Sequence, residues 1–111
     1  MRKHLKEALE VFKCDRYEGI AESTAKKPYF VWNDVGDSVT FYAEGKPIES
    51  VEYIQIHYFE KSGVNVTSRI KEIKESLFNN GFTYPEIGYN KIEESNGEKI
   101  RHIVFECGYN M

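Results

Sequence analysis

The segment Val51–Lys61, VEYIQIHYFEK, constrains this chain more than any other. Successive side chains of a strand leave opposite faces, so Ile54, Ile56 and Tyr58 share one side. Val51, Tyr53, Gln55, His57 and Phe59 share the other. One side is purely apolar, and the second mixes aromatics with an amide and an imidazole. A strand of this kind belongs in a sheet covered by helices on one face only, its other face meeting solvent or a partner.

The flanking sequence supplies those helices and the remaining strands. Residues 2–13 read as an amphipathic helix, with Leu5, Ala8, Leu9 and Phe12 on one face. Lys3 with Glu7 and Lys6 with Glu10 lie four apart on the wet side. Residues 68–80 carry a second apolar stripe of Ile70, Ile73, Leu77 and Phe78, with Asn65 or Thr67 as N-cap and Gly81 as the stop. Tyr29–Trp32 and Val39–Ala43 are β-type, separated by turn chemistry at Val35–Ser38. Glu44-Gly45-Lys46-Pro47 is expected to break the second of these. Asn96-Gly97 marks a tight hairpin between a strand at residues 87–92 and a returning strand at residues 99–109. The order predicts one α+β domain over residues 1–111, with a mostly antiparallel β-sheet and two α-helices packed on one face.

Composition narrows the class without naming a function. The 41% hydrophobic content includes eight Tyr, seven Phe and one Trp, enough aromatic mass to rule out a disordered chain. Fifteen Lys and Arg against eighteen Asp and Glu leave a net charge of −3, which argues against a dedicated nucleic-acid binder. No apolar stretch is long enough for a membrane helix, and MRKHLKEALE places charges where a signal peptide needs apolar residues. Cys14 and Cys107 are too few for a disulfide framework, so free thiols and an intracellular setting are expected.

The residues that could carry chemistry are scattered. His57 and His102 fall in predicted strands and could be neighbours in one sheet, while His4 sits in the first helix. Zinc-type spacings such as Cys-x-x-Cys are missing, so the expectation is no metal and no cofactor. Cys107 and His102 lie five apart in one strand and should leave opposite faces, which speaks against a thiol–imidazole dyad. Gly36, Gly45, Gly63, Gly81 and Gly97 are isolated rather than gathered in a phosphate loop. Glu93 and Glu94 flank a turn, where carboxylates are ordinarily solvated. Tyr29, Phe30, Trp32, Phe41 and Tyr42 read as core or subunit contacts more than as a base-stacking platform, because only Lys26 and Lys27 supply charge nearby. The reading is therefore a non-enzyme.

The segments Lys27-Pro28-Tyr29-Phe30-Val31-Trp32, Phe41-Tyr42-Ala43-Glu44-Gly45-Lys46 and Tyr53–Phe59 resemble small tail-completion proteins of Gram-positive siphophages and prophages. So do Arg69–Leu77 followed by Asn80-Gly81-Phe82, and Ile103-Val104-Phe105-Glu106 after a charged hairpin. The resemblance spans roughly residues 1–109. It implies a tail-terminator-like structural protein with no catalytic residues, assembling as a ring, often hexameric. That ring caps the tail tube and joins it to the head through connector proteins, after assembly in the bacterial cytoplasm and with DNA only as passing cargo. Glu44-Gly45-Lys46 departs from the Asp-Asn-Lys-like turn that the family leads one to expect. Candidate contacts to the next subunit or the tube are Glu44, Gly45, Lys46, Tyr53, Phe59, Asn96 and Gly97. A small ligand- or nucleic-acid-binding module without catalytic activity is the alternative.

Overall fold

The computed structural model describes residues 1–43 and 46–110. The elements run α1 (Arg2–Glu10), β1 (Asp15–Glu18), β2 (Tyr29–Ala43), β3 (Lys46–Lys61), α2 (Thr67–Asn79), β4 (Glu86–Ser95) and β5 (Glu98–Asn110). The five strands form one sheet in the order β1-β2-β3-β5-β4. β1 is parallel to β2, and the other neighbouring pairs are antiparallel. β3 and β4 both oppose β5, so they run the same way with β5 between them, and α2 makes the crossover. The α+β architecture is as expected, with a mostly antiparallel sheet.

Both helices bury their stripes on the same face of the sheet. Leu5, Ala8 and Leu9 of α1 and Ile73 and Leu77 of α2 join Phe30, Ile54, Ile56, Tyr58, Ile103 and Phe105 in one core. The alternation of β3 selects this set: Ile54 and Ile56 are 0% exposed, while Tyr53 on the opposite face of the same strand is 40% exposed. Ser76 Oγ donates to the Ala8 carbonyl at 2.6 Å and ties the helices together. Phe78 is the exception in the α2 stripe, being 56% exposed against Tyr84 rather than in the core.

The ends of α2 depend on local geometry. Val66 occupies the N-cap position, not Asn65 or Thr67, although Asn65 Oδ1 accepts the Thr67 N–H at 3.0 Å. At the other end Phe82 N–H donates to Leu77 O and Gly81 N–H to Phe78 O. Gly81 has φ +97°, the left-handed conformation that this closing motif requires. α1 is shorter than the periodicity implies, stopping at Glu10, with Lys13 at φ 55° turning the chain toward β1.

Two expected breaks are corrected, and one strand is added. Val35–Ser38 is not a turn but part of β2, and register shifts at Asp34/Gly36, Val39/Phe41 and Phe41/Tyr42 absorb its poor strand formers. Lys46 and Pro47 open β3, paired with Ala43 and Tyr42, because proline is tolerated at the start of a strand. Glu44 and Gly45, the rest of that expected break, lie outside the described residues. Asp15–Glu18, to which the sequence assigns no element, is the parallel edge strand β1. The Asn96-Gly97 hairpin is as expected, with φ 51° and 79° at its two turn residues and Ser95 paired to Glu98.

Candidate functional site

The face without helices carries a continuous row of rings. Cross-strand register sets Tyr29 opposite Phe59, and Phe59 opposite His102. Tyr29 stacks on Phe59 with centroids 4.9 Å apart, and Phe59 stacks on His102 at 4.4 Å. Tyr17 of β1 meets Tyr29 edge-on at 6.0 Å, and Tyr89 of β4 tilts against His102 at 5.0 Å. The row crosses all five strands, each contributing a residue because the pleat returns alternate side chains to this face.

A polar chain runs through the same place. His57 Nδ1 lies 2.7 Å from His102 Nε2. His102 Nδ1 lies 3.1 Å from Glu93 Oε2, which also accepts the Tyr89 hydroxyl at 2.8 Å. A carboxylate only accepts, so His102 donates its Nδ1–H to Glu93; in the neutral pair its Nε2 then accepts from His57 Nδ1–H. The hydrogen bonds from His102 and Tyr89 hold the Glu93 carboxyl below its ordinary pKa. Burial, reinforced by the neighbouring His102, lowers that of His57. The bond to Glu93, with some burial, raises the Tyr89 phenol.

The His57 and His102 end of this polar chain reaches an open groove of about 710 Å³. The β1–β2 connection, Gly19–Lys27, passes along its other side, and the β4–β5 hairpin closes one end. Val31, His57, Phe59, Ile100 and His102 line its floor. Lys27 Nζ and Glu98 Oε1, 3.5 Å apart, link the connection to the hairpin.

The residues singled out in the sequence divide among separate places. Phe59 and Asn96 both line the groove. Gly97 sits at the exposed hairpin tip. Tyr53 lies on the open face but six residues along β3, beside Thr83, Tyr84 and Glu106. Lys46 is at the far end of β3, paired with Ala43. Glu44 and Gly45 lie outside the described residues. The surroundings of Glu93 correct the reading of a solvated turn carboxylate: β4 extends to Ser95, so Glu93 belongs to a strand and receives two hydrogen bonds. The four-residue spacing of Tyr89 and Glu93 was the available signal, since an even spacing returns both to one strand face.

Other candidate chemistry separates cleanly. Cys107 is buried on the helix-covered face, away from His102 as its odd spacing implies, and burial pushes its thiol up to about 12. Cys14 is also a free thiol, and its Sγ–H donates to the Phe12 carbonyl. Among the described residues, no three His, Cys, Asp or Glu side chains gather to enclose a metal ion. No described helix is long and apolar enough to cross a membrane. Comparison with models of known protein families and with curated proteins finds no match to this chain.

Proposed function

We propose that this chain is a structural tail-completion protein of a siphophage or prophage, whose copies form a ring that caps the tail tube and joins it to the head. The observation that carries this reading is the β2–β3 hairpin. β1 pairs with β2 only at Tyr29–Trp32, and β5 reaches β3 only from Val51 onward. Val39–Ala43 and Lys46–Ser50 therefore form a ribbon paired within itself, and the molecule measures 56 × 24 × 21 Å. A two-stranded ribbon is marginal by itself in water, so an arm of this length favours a neighbour that receives it. Arm on one side and receiving surface on another make a head-to-tail contact, and such contacts close into rings. The sequence resemblance over nearly the whole chain points the same way. A net charge of −3 per copy suits a lumen that DNA passes without being held.

The test mixes the purified chain with polymerising tail-tube subunits and images the products. Tubes ending in a thin ring at one end support the proposal. Uncapped tubes, with no co-sedimentation at any concentration, overturn it. The groove beside His57 and His102 favours a second reading, a small-molecule-binding module located in the virion or outside it. Nucleic acid fits that groove less well, because Tyr29, Phe59 and His102 already stack on one another and have few ring faces left for bases. Shifts of groove resonances with a fragment library, in a chain that does not cap tubes, would favour this second reading.

A further inference from the structure

We propose that the free edge of β4 pairs with the same edge of a second copy of this chain, antiparallel and about a two-fold axis through Ile92. β4 is the last strand of the sheet and pairs only with β5, so every second residue along it turns its N–H and C=O outward. From Tyr89 to Ser95 its ladder with β5 runs without a register shift, which keeps those outward groups evenly spaced. The opposite side of the sheet offers no such edge. There β1 covers only Tyr29–Trp32, and β2 beyond it is interrupted by three register shifts.

The side chains select both the register and the partner. Residues directly opposite in an antiparallel pair leave the same face, so a two-fold between identical strands must pass through a residue. Centred on Ile92, Lys91 faces the partner's Glu93, and Glu93 faces the partner's Lys91. Both residues belong to the open face, where Lys91 lies opposite His102 and Glu93 accepts from it. On the helix-covered face Ile92 meets the partner's Ile92, and Asn90 meets the partner's Glu94. Neighbouring registers are worse. Centring on Lys91 opposes two ammonium groups, centring on Glu93 opposes two carboxylates, and centring on Asn90 sets Ile92 against the partner's Gly88 at the bulge.

The groups at this seam have capacity to spare. Ile92 is 48% exposed. Among the described residues Lys91 has no carboxylate partner, and its Nζ stands 5.8 Å from the centroid of the Tyr89 ring. Glu93 receives His102 and Tyr89 on Oε2, which leaves Oε1 to accept from the partner's Lys91. A lysine on an edge strand keeps out strands that carry no facing acid. β4 itself carries that acid two residues on, so its own copy is admitted where other strands are repelled. The joined sheet has two sets of five strands, about the ten that a twisted sheet accommodates. A seam over Tyr89–Ser95 is smaller than the roughly 20–30 residues a side of a stable interface, so this dimer is weak and exchanging. It lies across the sheet from the β2–β3 arm, and it goes beyond the tail reading and is independent of it.

The test follows the intact chain by sedimentation equilibrium up to millimolar concentration, with Lys91→Glu, Glu93→Lys and an equal mixture of the two. Each variant alone sets like charges against one another at both facing positions, whereas the mixture sets opposite charges there. The expected result is a wild-type dimer, at least about a tenfold weaker association for either variant, and association regained on mixing. Hydrogen exchange of the wild-type chain gives a readout that needs no variant to fold: amides within Tyr89–Ser95 should gain protection as concentration rises. A chain monomeric at every concentration, a dimer untouched by Lys91→Glu, or exchange in β4 that ignores concentration would each overturn the seam.

Discussion

The two faces of β3 put the same backbone to opposite uses. On one side Ile54, Ile56 and Tyr58 are sealed under two helices, and even Glu60 at 7% exposure is accommodated by accepting from the Tyr58 hydroxyl and the Lys61 N–H. On the other side His57 and Phe59 are half-buried beside one another and the β1–β2 connection, and Gln55 is half-buried near Gly88 and Glu106. Burial on the first face is apolar and non-directional, so it stabilises in proportion to area. On the second, rings and hydrogen bonds must be aligned, so stability there depends on geometry and on protonation. The covered face holds the fold, and the open face has freedom to bind.

The sharpest way to break this contrast is to cut into the covered face. Leu77→Ala removes a side chain with 0% exposure and should cost about 2–5 kcal/mol through lost transfer energy and a residual cavity. Denaturant unfolding measures it, and a change under about 0.5 kcal/mol would put Leu77 outside the core. Gly81→Ala should cost about 1–2 kcal/mol, because φ +97° disfavours any side chain and its Cβ would stand 3.1 Å from Tyr109. Phe59→Ala probes the open face. Two stacked neighbours and partial exposure predict a loss of about 1–2 kcal/mol, smaller than for Leu77. A loss equal to that of Leu77→Ala would erase the distinction between the faces.

Acid should separate the faces further. His57 has its folded-state pKa lowered, so its neutral form favours the fold; stability is fully present above the ordinary imidazole pKa and falls as pH drops toward the folded value. Glu93, also lowered, adds a second loss below the ordinary carboxylate range. Urea midpoints of wild type and His57→Gln between pH 8 and pH 5 should therefore diverge, the wild type declining more steeply. Parallel curves would show that the imidazole pair is uncoupled from folding. The smallest effect concerns the thiols. Two should titrate per unfolded, unreduced chain, with Cys107 slow to react in the native state because it is buried. Finding none would reveal a disulfide.

Much of the covered face was legible because burial leaves a periodic trace. The alternation at residues 54–58, the helical stripe through Ile73 and Leu77, and the Asn96-Gly97 turn are local rules, each decided within a few neighbouring residues. The misreadings fall where a partner outweighs local preference. Val35–Ser38 is turn-like in isolation, but pairing with β3 holds it extended. Asp15–Glu18 has no strand pattern, and its backbone is ordered by the parallel contact with Tyr29–Trp32. The site was half legible. His57 and His102 could be assigned to strands, whereas their approach to 2.7 Å and the turn of Glu93 toward them depend on β5 inserting between β3 and β4.

The sequence by itself determined most of the side chains that are hidden, Phe78 excepted, since hydrophobic burial follows a period of two in strands and of 3.6 in helices. It also determined the turns at Gly81 and at Asn96-Gly97, where left-handed residues close the helix and the hairpin. Tertiary structure alone decided the strand order, and with it which polar groups would meet. A hydrogen bond between His57 and His102, forty-five residues apart, leaves no mark on the neighbours of either residue. It exists because the ladder places their strands side by side, and the pleat turns both rings to the same face.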